Sequence, residues 1–406
     1  MNIFILAYYS YHDPVFQSAV LPYFLNFPDS KHKFFLLTFE HDAYPIDPDQ
    51  AAAIESFLLR HRIIWKRSVW RSGNWKLFKK GIDLFSSIFS SIRIIRKYKI
   101  KAIYSEGFPG AILGHYISLL TGTRHFIHSF EPHTDYMIEA GVWKKYSWEA
   151  LLLRWHEIRI ARHASGIFTA TQSMIDDLLA KGVSPKVPLR VPSCVDTQHF
   201  RFSSDSRARV RREHAIPAST PVLVYLGKFG GMYMEDEAFE FFKICQDELN
   251  AWIFVLSPDP QEKIDQLLKK HQLKSDSMVI KFLTREHIPA YLSAADIGFV
   301  AVRQWPSKRY CSPIKTGEYL SCGLPVIVPI GVSDDVEKMI ELGICIPMAT
   351  LDRKSYSLVL NEWRIWLANI DVEKTRTAAR SYAESDRSVD WYKHIYASVF
   401  DQLYGQ

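Results

Sequence analysis

The most informative stretch of the chain runs from 312 to 328 and reads Ser312-Pro313-Ile314-Lys315-Thr316-Gly317-Glu318-Tyr319-Leu320-Ser321-Cys322-Gly323-Leu324-Pro325-Val326-Ile327-Val328. Small residues and a proline lead into a short predicted helix. A Gly-Leu-Pro turn then leads into an apolar predicted strand. Lys315 and Glu318 are three positions apart and therefore share one face of the helix. Both head groups can reach a single ligand.

The start of this helix has the chemistry for a ligand that carries phosphate and ribose. Backbone N–H groups at a helix start favour an anion, and a lysine adds a point charge for phosphate. A carboxylate can accept two hydrogen bonds from a ribose diol. The stretch therefore predicts a site for a nucleoside diphosphate sugar, and an ordinary loop–helix–strand unit is the simpler alternative. The candidate donor-binding residues here are Ser312, Pro313, Ile314, Lys315 and Glu318.

The same residues resemble the donor-binding segment of GT-B glycosyltransferases of the retaining family-four type (glycosyl transferases group 1). Many of these proteins read S-P-x-K-x-x-E-Y-L-x-x-G-x-P-V. The resemblance implies an α/β, GT-B fold of two Rossmann-like domains facing a cleft, with a C-terminal helix that crosses back to the N-terminal domain. It implies hexosyl transfer with retention, a nucleotide-sugar substrate, and neither a metal nor a cofactor. Tyr310 stands where many relatives carry a further glutamate, eight positions before Glu318.

Composition fits a two-domain protein with no disulfide framework. The chain has 406 residues, and domains usually hold between 50 and about 200 residues. Its five cysteines are odd in number and lack C-x-x-C spacing, which favours free thiols in a reducing compartment. The start, Met1 to Ala7, is typical of a first strand and not of a signal peptide. With no apolar run of about 20 residues, we expect a soluble, cytoplasmic protein.

Positive charge is concentrated in one segment. Thirteen Lys or Arg lie between Arg60 and Lys101 against one acid, Asp83, in a chain whose net charge is +6. Tryptophans 65, 70 and 75 alternate with these charges. The mixture favours an anionic membrane surface, and a solvated helix face is the alternative. No nucleic-acid-binding motif accompanies it, so we expect no nucleic-acid partner.

Strand and helix patterns alternate along both halves of the chain, which predicts two parallel, doubly wound sheets. Predicted strands cover 2–7, 33–39, 101–105, 124–129, 166–170, 187–192, 221–226, 251–256, 277–282, 297–302, 325–329 and 344–346. Predicted helices cover 14–27, 48–61, 76–98, 109–121, 145–163, 172–182, 234–249, 260–272, 287–294, 314–322, 333–342, 355–370 and 371–404. The polar, arginine-rich stretch 201–214 receives no predicted helix. We expect an acceptor domain at 1–198 with a C-terminal helix at about 385–406, and a donor domain at 199–384.

A glycine-rich turn follows the first strand of the second half. Glycines at a strand–helix turn allow backbone N–H groups to approach phosphate closely. The resemblance places a basic residue for the diphosphate in this turn, and a plain surface turn is the alternative. The candidate donor-binding residues are Gly227, Lys228, Gly230 and Gly231.

The first half offers candidate catalytic residues after strand 124–129. His128, Glu131 and His133 place three ionisable groups within six residues, at a strand end where open α/β sheets bind ligands. Relatives follow a polar turn here with E-x-G-x-W, which Glu139, Gly141 and Trp143 match, while Phe130 stands where relatives carry histidine or arginine. A structural histidine is the alternative interpretation. Glu106, after strand 101–105, is a further candidate for contact with an acceptor.

Asp47-Pro48-Asp49 matches a D-x-D metal motif of single-domain transferases, but next to a predicted helix it indicates capping. The expected acceptor is a glycan or a lipid-linked glycan, in bacterial surface polysaccharide synthesis at the inner face of the membrane. Two rival functions remain open. One is a GT-B nucleotide-sugar 2-epimerase, and the other is a non-catalytic sugar-nucleotide-binding protein.

Overall fold

The computed structural model describes residues 1–28, 31–41, 44–69, 76–369 and 371–404, which form two compact units. Unit 1 comprises Met1–Pro192 with Val389–Gln406, and unit 2 comprises Ser193–Ser388. Each unit has one sheet, and every pairing between its strands is parallel. The fold is α/β, as the alternating strand and helix patterns predict.

Unit 1 contains a seven-stranded sheet in the order β3-β2-β1-β4-β5-β6-β7. Its strands are β1 (Asn2–Ala7), β2 (Lys33–Glu40), β3 (Ile63–Val69), β4 (Ala102–Glu106), β5 (Arg124–Ser129), β6 (Gly166–Thr169) and β7 (Pro188–Arg190). Its helices are α1 (Pro48–Arg60), α2 (Lys76–Lys97), α3 (Gly107–Thr121), α4 (His133–Glu139), α5 (Trp148–His163), α6 (Gln172–Ala180) and the C-terminal α15 (Val389–Tyr404).

The C-terminal helix is built into the core of unit 1. The hydroxyls of Tyr396 and Tyr104 are 2.7 Å apart, and Tyr396 and Phe400 are fully buried. Both rings also pack against Phe168 or Phe126 of the central strands. Tyr392 and Tyr396 are therefore part of the face by which this helix docks, whereas Trp391 is exposed.

Unit 2 contains a six-stranded sheet in the order β10-β9-β8-β11-β12-β13. Its strands are β8 (Val222–Leu226), β9 (Trp252–Leu256), β10 (Met278–Lys281), β11 (Ile297–Phe299), β12 (Val326–Pro329) and β13 (Cys345–Met348). Its helices are α7 (Ser204–Glu213), α8 (Asp236–Leu249), α9 (Gln261–Lys270), α10 (Ile288–Ala294), α11 (Ile314–Ser321), α12 (Val336–Glu341), α13 (Arg353–Asn369) and α14 (Val372–Asp386). Val222 and Val224 face one apolar core and Leu223 and Tyr225 face another, because side chains alternate along a strand.

Two predicted helices are wrong in their extent. The predicted helix 14–27 is a π-helical turn at Phe16–Val20 followed by a 3₁₀ turn at Leu21–Tyr23, since Pro22 removes a backbone donor. The predicted helix 371–404 is two helices. They are separated at Arg387, whose carbonyl accepts a hydrogen bond from Val195 N at 2.7 Å.

One strand and two α-helices were not predicted from the sequence. Strand β3 carries exposed Lys66 and Arg67 and lies at the edge of its sheet, where charge prevents pairing with other chains. Helix α7 is very polar, but Arg207 and Arg211 fix it by binding Asp296 at 2.6 and 2.7 Å. Helix α4 is a short element within the turn that follows the predicted strand 124–129.

Trp65 does not have the surface role that was predicted for the basic segment. This residue is 4% exposed, and its indole N–H donates to Thr38 Oγ1 at 2.7 Å, so it contributes to the core and not to a surface. Trp70, Arg71 and Trp75 lie outside the described residues, as do the side chains of Lys76, Lys79 and Lys80. Among the helices that the structure describes, none is long and apolar enough to span a bilayer.

Smaller predictions are confirmed. All five cysteines are free thiols. Asp47 caps α1 by accepting a hydrogen bond from Gln50 N at 2.8 Å, in a reciprocal capping box. Cys194 is buried and is not among the described residues with positive φ, so its turn does not require glycine.

Candidate donor-binding site in unit 2

The predicted donor residues lie on two adjacent connections of the unit 2 sheet. The glycine-rich turn follows β8, and α11 follows β11, which is the neighbour of β8. Strand order reverses at this pair, because β9 and β10 lie on one side and β12 and β13 on the other. Open parallel sheets bind ligands at the carboxyl ends of strands at such a reversal.

The structure brings Gly227 and Lys315 together. A Cβ atom at Gly227 would lie 2.7 Å from Cε of Lys315 and 3.5 Å from its Nζ. Gly227 also has φ +139°, a conformation that residues with side chains rarely adopt. The glycine therefore serves two purposes, since it makes the turn and leaves space for the lysine to pass.

Lys315 is held with its ammonium group near Tyr233. Its Nζ lies 3.3 Å from Tyr233 Oη and 4.9 Å from the centre of that ring. Burial lowers the pKa of the lysine, but Tyr233 and Glu318 outweigh it, so the pKa lies above its ordinary value. Lys315 is thus positively charged at neutral pH, which suits a phosphate ligand.

Glu318 is buried and carries unused acceptors. It is 7% exposed, and no donor to its carboxylate occurs among the described residues. Burial raises the pKa of this carboxyl, while Lys315 and Arg285 act in the opposite direction. Its oxygens are not among the fully buried polar atoms that lack a partner, so they remain open to hydroxyl donors from a ligand.

Tyr319 fixes the helix that carries both residues. Its hydroxyl accepts from Leu226 N at 2.8 Å and donates to Phe299 O at 3.3 Å, which ties α11 to the ends of β8 and β11. A Cβ atom at Gly298 would lie 2.5 Å from the Tyr319 ring, so the ring needs that glycine. These contacts fix the position of α11 relative to the sheet.

The start of α11 is open to an anion. Pro313 is its N-cap residue, and no side chain caps the first turn. Ser312 has a different role, since its Oγ accepts from Ser193 N at 3.1 Å and from the guanidinium of Arg387. Arg387 also pairs with Asp335, and this buried network holds the loop before the helix. Ile314 is half-buried at the first helical position.

Asp259 and Lys263 hold the glycine-rich turn in place. Phe229 N donates to Asp259 Oδ2 at 2.6 Å, and Lys263 Nζ donates to Phe229 O at 2.9 Å. Gly230 and Gly231 have φ of +91° and +64°. Lys228 lies between these fixed points with an exposed side chain, so it is free to extend into solvent.

Sequence reasoning missed two members of this site. Tyr233 contacts Lys315, and Arg285 is a charge close to Glu318. Tyr233 belongs to the same turn as the glycines and could have been found there, but Arg285 is distant in sequence and no local pattern indicates it. Arg303, which precedes the donor segment, is paired with Glu237 at 2.5 Å.

In unit 1, His128 is fully buried. Its Nδ1 lies 3.2 Å from Glu106 Oε2, and its Nε2 lies 3.4 Å from Val191 O. Glu106 is also fully buried, so in this structure neither side chain reaches an acceptor directly. The pair links β4 to β5.

Glu131 and His133 are the accessible members of the predicted set, because both are half-buried. The His133 ring lies between Phe108 and Trp143, with centroid distances of 5.6 and 5.9 Å, and burial lowers its pKa. Burial also raises the pKa of Tyr9, and Glu131 is one of the acids that add to this effect. These groups share the carboxyl edge of the unit 1 sheet.

No protein-family model matches the chain, and no curated protein matches it in sequence. Solved structures do match it. HepE of Anabaena in complex with UDP has a TM-score of 0.70 and 13% identity, over 99% of this chain and 100% of that chain. Sucrose-phosphate synthase of Thermosynechococcus elongatus has a TM-score of 0.73 and 16% identity, over 100% and 99%. WaaG, a glycosyltransferase of lipopolysaccharide biosynthesis, has a TM-score of 0.68 and 13% identity, over 97% and 99%.

At these identities the likeness establishes architecture. Each match covers at least 97% of this chain, and both parallel sheets therefore lie within it. The chain has the GT-B fold, an α/β architecture of two Rossmann-like units.

Proposed function

We propose that this protein is a hexosyltransferase that uses a nucleoside diphosphate sugar as donor. The observation that carries the proposal is the geometry of Gly227, Lys315 and Glu318 at one sheet edge of unit 2. The charged side chain of Lys315 passes over the turn at Gly227. The buried carboxylate of Glu318, which accepts no hydrogen bond from the described residues, lies one helical turn further along. These are the groups that a diphosphate and a ribose require.

A uridine nucleotide is the donor that we favour. The structure of HepE holds UDP, and further structures of the same protein hold UDP with glucose and UDP-glucose. Their fold is that of this chain, and the site proposed here lies at the sheet edge where such folds bind ligands.

The residues present can stabilise a departing nucleoside diphosphate. Lys315 and the open first turn of α11 would neutralise charge that develops on the leaving phosphate, and such electrostatic stabilisation is usually the largest catalytic contribution. Lys228 would add a second positive charge from the glycine-rich turn. The resemblance to retaining enzymes supports attack from the face that the diphosphate leaves, with a phosphate oxygen taking the acceptor's proton. That route needs no protein nucleophile.

The proposed acceptor is a glycan or a lipid-linked glycan, in synthesis of a bacterial surface polysaccharide. Glu131 and His133 would contact it at the carboxyl edge of the unit 1 sheet. One similar structure, WaaG, takes part in lipopolysaccharide biosynthesis, which supports an acceptor of this class.

Contact with an anionic membrane is proposed through helix α2 of the basic segment 60–101. Phe85 and Phe89 are 75% and 66% exposed, and Arg93 follows at the same four-residue spacing. Arg96 and Lys97 are also exposed. Aromatic and basic residues on one exposed helix face favour the interface of an anionic bilayer.

Nucleotide binding and donor turnover test the function. Calorimetry with UDP, GDP, ADP and uridine should give the tightest binding to one diphosphate, and Lys315→Met should remove most of the difference between UDP and uridine. Incubation of UDP-hexoses with candidate acceptors should then give a glycoside and UDP. An epimer or free sugar without acceptor would instead show the 2-epimerase, and binding without turnover over a broad acceptor panel would show a binding protein.

A further inference from the structure

Unit 1 contains a cavity that no prediction above uses. It lies between helices α3, α5 and α6 and strands β5 and β6, and its volume is about 210 Å³. Most of its wall is apolar, with Phe108, Ala111, Ile127, Ile158, Ile167 and Leu178 among the lining residues. It adjoins an apolar core that includes several of the same side chains.

The size and lining of this cavity suit an apolar ligand. Protein interiors are close-packed, and voids larger than a water molecule are few. An apolar cavity of about 150 Å³ is sufficient to bind benzene, and this one is larger. Two of its wall positions, Ala111 and Ala161, carry small side chains, which is why the space is left between the helices.

Two charged pairs also line the cavity. Arg154 pairs with Asp135, and Lys181 pairs with Asp177 at 2.6 Å. Arg154, Asp135 and Lys181 have between 41% and 47% of their side chains exposed, so the cavity opens to solvent beside them. A ligand that fills the cavity therefore has an apolar body and a polar end.

The cavity also reaches the predicted acceptor edge. Ser129 and Pro132 line the cavity, and they bracket Glu131 in sequence. A molecule with its chain in the cavity would leave at this edge, beside the half-buried Glu131. The cavity is thus placed to hold one part of an acceptor while another part reaches the reacting groups.

Helix α5 offers a second and independent observation. Arg154, Glu157, Ile158 and Ala161 face the cavity, while Trp148, Leu151, Leu152 and Trp155 are between 45% and 71% exposed. Within each set the residues recur every three or four positions, so each set lies on one face of the helix. Arg159 lies over the Trp155 ring at 5.1 Å, and tryptophan with arginine favours a lipid–water interface. The helix that walls the cavity therefore also presents a surface for lipid.

We propose that this cavity binds the hydrocarbon chain of an amphiphilic glycosyl acceptor, with the sugar end at the Ser129–Pro132 edge. The inference rests on the proposed function for its acceptor role, but the binding of the chain does not depend on the donor site. An aromatic group attached to the acceptor is the competing occupant.

Calorimetry with alkyl glucosides below their micelle concentrations tests the proposal. Affinity should rise about fourfold for each added methylene from butyl to octyl glucoside, and methyl glucoside should not bind measurably. A flat dependence on chain length would overturn the proposal. Tighter binding of phenyl glucoside than of octyl glucoside would also overturn it, in favour of the aromatic occupant.

Filling the cavity provides the matched test. Ala161→Leu should weaken octyl glucoside binding at least tenfold, while Ala52→Leu, at an exposed position on α1, should leave it unchanged. Leu178→Phe, from a different helix, repeats the test if Ala161→Leu does not fold. UDP affinity should be the same in all of these variants, and octyl glucoside affinity equal to wild type in a folded, filled variant would overturn the proposal. If the chain binds but no nucleotide does, the donor proposal fails and the cavity proposal stands.

Discussion

The Cε atom of Lys315 occupies the space that a side chain at position 227 would need, only 2.7 Å from where a Cβ of Gly227 would stand. The two residues are 88 positions apart in sequence, and adjacent strands bring them together. A glycine and a lysine that each fit a phosphate site separately are therefore parts of one arrangement.

Gly227→Ala should move Lys315 and weaken nucleotide binding. We expect a loss of about 1.5–3 kcal/mol in UDP affinity, the magnitude of a hydrogen bond to a charged group. Gly343→Ala is the matched control, because Gly343 also has positive φ, no atom lies within 4 Å of its added Cβ, and it follows α12, outside the proposed donor site. Both variants should lose stability through backbone strain of about 1–3 kcal/mol. Calorimetry with UDP and thermal unfolding separate the two effects, and equal UDP affinities for the two variants would contradict the steric argument.

Glu318→Gln should weaken ribose recognition by about 1.5–3 kcal/mol. The amide keeps the size of the side chain but removes its charge and one acceptor. If the carboxylate binds the ribose diol, the variant should lose much less affinity for 2′-deoxy-UDP than for UDP. Titration calorimetry with both nucleotides measures this difference. An unchanged UDP affinity in the folded variant would remove Glu318 from the donor site.

The donor segment could be predicted from sequence because its signals are local. Proline, glycine and the Lys315–Glu318 spacing all lie within one loop, helix and strand, and the predicted helix 314–322 is α11 at Ile314–Ser321. Parallel sheets were equally predictable, since their buried strands are apolar throughout.

Elements that depend on distant partners could not be predicted. Helix α7 is stable because Arg207 and Arg211 bind Asp296, which belongs to another part of unit 2, and its own sequence has little apolar content. Strand β3 is an edge strand, and its exposed charges interrupt the apolar pattern that predicts a strand. The prediction of His128 as a catalytic group rests on its ionisable side chain, and its burial against Glu106 is visible only in the structure.

Metal independence is an expectation from the resemblance and needs its own test. A nucleotide-sugar transferase that stabilises its leaving diphosphate with Lys315 and helix N–H groups should keep its activity in excess EDTA. Initial rates with and without EDTA, and with Mg²⁺ or Mn²⁺ added back, are the measurement. Activity that is lost in EDTA and restored by either ion would contradict this expectation.

Membrane binding should depend on helix α2. Replacing Arg93, Arg96 and Lys97 with glutamine should weaken binding to anionic vesicles by about 3 kcal/mol, at about 1 kcal/mol for each basic residue. Phe85→Ser with Phe89→Ser should weaken it further, whereas Leu358→Ser with Ile365→Ser, at exposed positions in unit 2, should not. Co-sedimentation with anionic and neutral vesicles at two salt concentrations measures this. Wild-type protein that stays in solution with anionic vesicles at low salt would refute the membrane contact.

Glu157 should make the stability of unit 1 depend on pH. This carboxylate lines the cavity and accepts a hydrogen bond from Thr134 N at 3.0 Å. Burial raises its pKa from 4.5 to about 7; the Thr134 hydrogen bond and Arg154 lower it, and Asp135 raises it. The folded state therefore binds the proton more tightly than the unfolded state. Stability from this group is complete below pH 4.5 and is lost as the pH rises through about 7.

The Glu157→Gln variant isolates this effect, because its amide oxygen can still accept from Thr134. Between pH 5 and pH 8, the unfolding free energy of the wild type should fall relative to the variant by up to about 3 kcal/mol. Glu149 is on the same helix but outside the cavity lining, so the unfolding free energy of Glu149→Gln should change with pH as that of the wild type does. An alkyl chain in the cavity would displace water and raise the pKa further, so octyl glucoside should bind the wild type more weakly at pH 8 than at pH 6. Urea unfolding and calorimetry at each pH measure both quantities, and parallel curves for wild type and Glu157→Gln would show that the carboxyl is fully solvated.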